Sequence, residues 1–82
     1  MGKKHRNPNP SSVSYRQVVK VLEHLEFEFV RQVGSHMRYA KGKRRVTVAK
    51  YSWYSHDVFS FMMDQIGISK KYFFEVLDEI GR

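Results

Sequence analysis

The sequence of 82 residues contains no cysteine, which excludes disulfide bonds and thiolate metal sites. Apolar packing must therefore stabilise the fold. No apolar run approaches the roughly 20 residues that span a bilayer, and the polar first residues are unlike a signal peptide. We therefore expect a soluble, cytoplasmic protein with no membrane segment. The length fits one domain, because single cores occupy about 50 to 200 residues.

Proline is scarce, and both prolines lie in the first 12 residues, MGKKHRNPNPSS. This segment also carries three cationic residues and no large apolar residue after Met1. Such a composition cannot bury enough apolar surface to offset the entropy of ordering the chain. We therefore predict a disordered basic tail over residues 1–12 and a single domain over residues 13–82.

Acidic residues are missing from one stretch, RQVGSHMRYAKGKRRVTVAK, between Arg31 and Lys50. Seven of the 15 cationic residues of the chain lie there, at Arg31, Arg38, Lys41, Lys43, Arg44, Arg45 and Lys50. Clustered positive charge attracts polyanions, so nucleic acid is the first expected partner and an acidic protein the second. A solvated basic surface that serves solubility is the alternative.

The ordered part of the chain begins with the pattern of a helix start. Ser14 and Gln17 have the spacing of a capping box, and Val13 and Val18 have the spacing of a hydrophobic staple. Apolar residues then recur at helical spacing. These signals predict a helix from Tyr15 to about Leu25.

From Phe27 the hydrophobic period changes to two, which predicts three strands. The first strand ends at Gly34. Either of its faces could be the inner one, and a bulge near Val30 would let parts of both faces turn inward. The turn at Lys41–Lys43 joins the second strand to a third, Arg44–Ala49. One face of these two strands is apolar, with Met37, Tyr39, Val46 and Val48. The other face carries His36, Arg38, Arg45 and Thr47.

Two further helices follow the aromatic segment Tyr51–Tyr54. Ser55 and Ser69 are their predicted N-caps, and Gly67 and Gly81 their predicted ends. Their expected core residues are Val58, Phe59, Met62, Met63 and Ile66 in one, and Tyr72, Phe73, Val76, Leu77 and Ile80 in the other. The predicted fold is α+β in two layers, in the order α-β-β-β-α-α, with a three-stranded antiparallel sheet and the helices on one face.

Three motifs of the chain are informative as a set: FVRQVGSH at Phe29–His36, VTV at Val46–Val48 and QIGIS at Gln65–Ser69. With this spacing the chain resembles the HicA (YcfA-like) family of small toxins. The resemblance implies a fold like the double-stranded-RNA-binding domain and an mRNA interferase activity in which His36 is essential. It also implies a HicB-like antitoxin that docks over the active face. Tyr51 stands where family members commonly have a histidine.

Metal-independent cleavage of RNA uses the 2′-hydroxyl as nucleophile, a group that accepts its proton, and cations that stabilise the phosphorane. Histidine suits the proton transfer because both of its protonation states exist near neutral pH. We therefore predict His36 as the catalytic residue, and neither a metal site nor a cofactor. The predicted RNA-binding residues are Arg38, Arg45, Thr47, Lys50, Tyr51, Lys43, Lys70 and Lys71.

Lys70 and Lys71 enter this set because they open the third helix, where the helix dipole disfavours cations unless an anion is bound. Ordinary solvation is the alternative for both lysines. For the whole protein, the alternative to a nuclease is a non-catalytic module that holds structured RNA with the same basic strands. For His36 it is a surface histidine that makes a passive hydrogen bond.

Overall fold

The computed structural model of the protein describes residues 13–81, so the predicted basic tail lies outside the described residues. Three helices and three strands follow the predicted order: α1 (Tyr15–His24), β1 (Glu28–Val33), β2 (His36–Lys41), β3 (Arg44–Ala49), α2 (His56–Ile66) and α3 (Lys70–Glu79). Both strand pairs are antiparallel, in the order β1-β2-β3. The predicted α+β fold is therefore confirmed.

Helix α1 begins where the sequence signals place its start. The Gln17 side chain accepts a hydrogen bond from the backbone N–H of Ser14 at 3.0 Å. Val13 and Val18 are both fully buried, as expected for the two members of a staple. This start fixes α1 against the core, which it shares with β3 and α3.

Strand β1 contributes little to the core, because all six of its residues are exposed. The register with β2 shifts between Phe29 and Arg31, which places a bulge at Val30. Phe29 is 54% exposed, although its ring makes an edge contact with Tyr39 at a centroid distance of 5.6 Å. The helices thus cover β2 and β3 and leave β1 as an open edge of the sheet.

The core lies between the helices and one face of β2 and β3, where the four predicted strand residues are buried. Two predicted core residues are wrong: Val58 is 41% exposed and Tyr72 is 45% exposed. In each helix the next residue is a phenylalanine, which lies about 100° further around the helix axis. That phenylalanine faces the core, so Val58 and Tyr72 are turned toward solvent. Phe74 is buried instead, with its ring 5.3 Å from that of Phe73. Within residues 13–81, no helix combines the length and apolarity needed to cross a membrane.

Candidate functional site

The face of the sheet turned away from the helices is called the outer face here. Alternation along the strands and the observed register arrange its residues in three cross-strand rows. Read from β1 to β3, the rows are Val33, His36 and Ala49; Arg31, Arg38 and Thr47; and Glu28, Ala40 and Arg45. The predicted histidine and three arginines therefore share one surface.

His36 is exposed at the first position of β2. The hairpin before it turns at Gly34, which has φ +60, a conformation that glycine adopts without strain. Lys50 extends the pairing on the other side, because its backbone N–H donates to the carbonyl of Ser35 at 2.9 Å. The imidazole is thus held at one end of the sheet, next to the segment that leaves β3.

Arg31 and Arg38 lie directly opposite each other on neighbouring strands. Like charges in this arrangement repel each other and destabilise the sheet unless an anion lies between them. A cleft of about 330 Å³ is lined by Val30, Arg31, Arg38, Tyr39, Arg45, Thr47 and Gln65. We call it the basic cleft. Arg38 is two residues from His36 on the same face, a separation of about 7 Å along the strand.

Arg31 was missing from the RNA-binding residues predicted from the sequence. Its place opposite Arg38 depends on the extra residue at Val30, which shifts the register of β1 by one position. The bulge itself was predictable from the apolar residues on both faces. Counting the pairs across that bulge would have placed Arg31 in the site.

Arg45 lies on the outer face, but its guanidinium turns toward the β2–β3 hairpin. Its Nη1 donates to the carbonyl oxygen of Gly42 at 2.8 Å and to that of Arg44 at 3.1 Å. Thr47, in the neighbouring row, is half-buried. Its backbone N–H donates to the Oε1 of Gln65 at 3.1 Å, so α2 covers this part of the edge of β3.

Lys43, Lys70 and Lys71 are exposed but are not grouped with His36. Lys43 lies in the β2–β3 turn, and five strand residues, about 17 Å, separate the start of β3 from the position opposite His36. Helix α3 starts shortly after Gly67, which contacts the Arg44 side chain at that same end. These three lysines therefore form a second basic region, at the turn end of the domain.

Two further cations of the basic stretch stabilise helix ends. The Lys41 ammonium donates to the carbonyl of Leu25, the C-cap of α1, at 2.8 Å. The Arg44 guanidinium donates to the carbonyl of Gln65 near the end of α2 at 3.3 Å. Both satisfy carbonyls without an intrahelical partner, at the negative end of a helix dipole. Part of the positive charge thus supports the fold.

The segment between β3 and α2 forms a second cleft, which we call the aromatic cleft. Its volume is about 460 Å³, and it is lined by Lys50, Tyr51, Ser52, Trp53, Ser55 and Val58. Trp53 is 58% exposed and Tyr51 48% exposed. The sequence indicated an aromatic segment here, but only Tyr51 was assigned a role, so Trp53 was missed.

Tyr54 anchors this segment to the end of β3. It is buried, and its hydroxyl donates to the carbonyl of Ala49 at 2.5 Å. Burial raises the pKa of Tyr54 well above its ordinary value, since the charged form would lose its hydration. A second hydrogen bond also holds the segment: the backbone N–H of Tyr15 donates to the carbonyl of Tyr51 at 2.9 Å. The segment is therefore fixed to both β3 and α1.

The remaining histidines of residues 13–81 lie away from the outer face. His24 is in the last turn of α1 and His56 is the first residue of α2, and both are exposed. Among residues 13–81 there is no group of three or more histidine and acidic side chains placed to hold a metal ion. The outer face thus offers one imidazole, several cations and no grouped acidic ligands.

Residues 15–52 match the model of the family described as "HicA toxin of bacterial toxin-antitoxin". The match covers α1 and the whole sheet, a little less than half of the chain, and it includes His36, both arginines of the cross-strand pair and Tyr51. It confirms the family resemblance seen in the sequence motifs. No curated protein and no solved structure matches the chain.

Proposed function

We propose that this protein is a metal-independent endoribonuclease with His36 as its catalytic residue. The match of residues 15–52 to the model of the HicA toxin family supports the proposal. The observation that carries the proposal is the position of an exposed imidazole beside the cross-strand pair Arg31–Arg38. A proton acceptor and two guanidinium groups on one open face are what cleavage of a phosphodiester bond requires.

In the proposed reaction, the imidazole of His36 accepts the proton of the RNA 2′-hydroxyl. The 2′-oxygen attacks the adjacent phosphorus, and the bond from phosphorus to the 5′-oxygen breaks. The products are a 2′,3′-cyclic phosphate and a new 5′-hydroxyl. The imidazolium formed in the first step can return its proton to the leaving 5′-oxygen.

Arg31 and Arg38 stabilise the phosphorane in this scheme. Guanidinium groups bind phosphate oxygens bidentately, and bound phosphate would relieve the repulsion between the two. Lys50 lies one residue beyond Ala49, the cross-strand partner of His36, and would neutralise a flanking phosphate. The remaining predicted RNA-binding residues, Thr47, Tyr51, Arg45, Lys43, Lys70 and Lys71, would contact the RNA on either side of the bond that is cut.

Replacing His36 tests this function directly. We expect His36→Ala to slow cleavage of a fluorescent oligoribonucleotide by about 10²-fold to 10⁴-fold, with RNA affinity changed less than about threefold. His24→Ala, which alters an exposed imidazole on α1, serves as the matched control and should cleave normally. Cleavage should persist in EDTA and cease when the 2′-hydroxyls are replaced by hydrogen.

Normal cleavage by His36→Ala would overturn the proposal. Binding of RNA by both proteins without any cleavage would assign the chain to the non-catalytic alternative. In cells, induction of the protein should stop growth, and induction of His36→Ala should not. We further propose that the HicB-like antitoxin partner covers the outer face, in which case it and RNA should compete for the protein.

A further inference from the structure

The aromatic cleft exposes apolar side chains on a segment that is well anchored. Tyr54 fixes it to β3, and the bond from Tyr15 to the Tyr51 carbonyl fixes it to α1. Trp53 nevertheless leaves more than half of its side chain in contact with water. Large aromatic side chains held in water on an anchored segment are typical of binding surfaces.

The cleft is linked to the proposed active site through the backbone of Lys50. Its first lining residue, Lys50, is bonded through its backbone to Ser35, the residue before His36. The ammonium of Lys50 lies 5.5 Å from the centroid of the Tyr15 ring. A ligand in the cleft would therefore meet two aromatic side chains and a cation, within a few residues of the imidazole.

We propose that the aromatic cleft binds an unpaired nucleobase of the RNA, stacked on Trp53 and Tyr51, with the adjoining phosphate next to Lys50. This inference rests on the function proposed above. Nucleobases stack on tryptophan and tyrosine rings, whereas the bases of a duplex are already stacked on each other and present only their edges. The volume of about 460 Å³ is in the range of small-ligand pockets and accommodates a base.

The charge of the surroundings favours a nucleotide over an apolar side chain of a partner protein. Lys50 borders the cleft, and the Arg31–Arg38 pair lies in the row next to His36. A polyanion whose bases are splayed out satisfies both the aromatic faces and the cations. The substrate class inferred is thus RNA that is single-stranded at the position next to the cleaved bond.

Trp53 is the only tryptophan of the chain, so its fluorescence reports on the cleft directly. The measurement uses full-length protein with His36→Ala, which prevents cleavage, and a matched pair of probes: a single-stranded oligoribonucleotide and a duplex of the same length. We expect saturable quenching by the single strand and little quenching by the duplex. Adenosine 5′-monophosphate should also quench at high concentration, whereas ribose 5-phosphate should not.

Substitution provides the second measurement. In the His36→Ala background, Trp53→Ala should weaken binding of the single strand by about 5-fold to 150-fold. Its effect on the duplex should be less than about twofold. Phe61→Ala is the matched control, because Phe61 is 62% exposed on α2 and is not part of the cleft lining. It should bind both RNAs like the parent protein.

Equal quenching by single strand and duplex, or unchanged affinity in Trp53→Ala, would overturn the assignment of the cleft to a base. An apolar side chain of a protein partner would then be its better occupant. The two proposals fail separately. If the wild-type protein cleaves RNA but Trp53 is not quenched, only the cleft assignment is wrong. If quenching occurs but no RNA is cleaved, only the nuclease proposal is wrong.

Discussion

The segment Tyr51–Tyr54 contains three aromatic residues, of which one is buried and two are exposed to solvent. Tyr54 is 1% exposed, whereas Tyr51 and Trp53 are about half exposed. The sequence indicated the aromatic segment but not this division, because an irregular linker has no hydrophobic period from which burial can be predicted. The contact that decides it, from the Tyr54 hydroxyl to the Ala49 carbonyl, is visible only in the folded chain.

Tyr54→Phe should reduce the pH dependence of stability at alkaline pH. Burial raises the pKa of Tyr54 above the value of about 10 in the unfolded chain. The contribution of buried Tyr54 to stability is therefore fully present below a pH of about 10, and it is lost as the pH rises toward the pKa of the folded state. The free energy of unfolding of the wild-type protein should fall above pH 10, by up to about 1.4 kcal/mol per pH unit from this group.

Urea denaturation at pH 9, 10 and 11 measures this slope. The Tyr54→Phe slope should be shallower than that of the wild type. At neutral pH the variant should already be less stable by about 0.5 to 1.5 kcal/mol, because one hydrogen bond is lost. The exposed Tyr51→Phe is the matched control and should keep the wild-type slope. Parallel slopes for Tyr54→Phe and the wild type would show that Tyr54 does not cause the loss of stability at alkaline pH.

At the scale of elements, the β2–β3 hairpin connects the sheet to two helix ends through Lys41 and Arg44. From the sequence, Lys41 was assigned to the turn and Arg44 to the start of β3, and both were counted in the basic cluster, but neither was assigned a contact with a helix. The strands and the bulge were predictable, because alternation and turn residues are local signals. The contacts of Lys41 and Arg44 were not, because each joins residues at least 16 positions apart in the chain.

Arg44→Ala should affect the fold more than RNA binding. The guanidinium lies at the C-terminus of α2, and its loss should lower the free energy of unfolding by about 0.3 to 1 kcal/mol. Lys43→Ala, at the exposed neighbouring position in the turn, should change the same quantity by less than about 0.5 kcal/mol. Chemical denaturation followed by circular dichroism gives both values. Equal stability of the two variants would show that Arg44 has no capping role.

At the scale of the whole molecule, the cations form two regions. Along β3, the turn end of the sheet lies about 10 Å from the row of Arg31 and Arg38 and about 17 Å from the row of His36. One contains the Arg31–Arg38 pair and Lys50 near His36, and the other contains Lys43, Lys70 and Lys71. The sequence predicted most of these residues as RNA contacts, but it treated them as one site. Their separation follows from where α3 begins relative to the sheet, which depends on tertiary packing.

The two regions should respond differently to RNA length. Replacing both Arg31 and Arg38 with Gln should weaken binding of short and long single strands and reduce the slope of log K against log salt by about 0.7 per lost contact. Replacing Lys70 and Lys71 with Gln should weaken only strands long enough to reach the turn end. Fluorescence anisotropy over a series of salt concentrations measures both effects. An equal loss for short strands in the lysine variant would show that the regions act as one.

Because the residues of β1 are exposed, most of them can change to suit a binding partner with little effect on the stability of the fold. Substitutions at its solvent-facing residues should generally change the free energy of unfolding by no more than about 0.5 kcal/mol. Sequences with this fold can therefore diverge in this strand, and change what the outer face binds, while they keep the same interior.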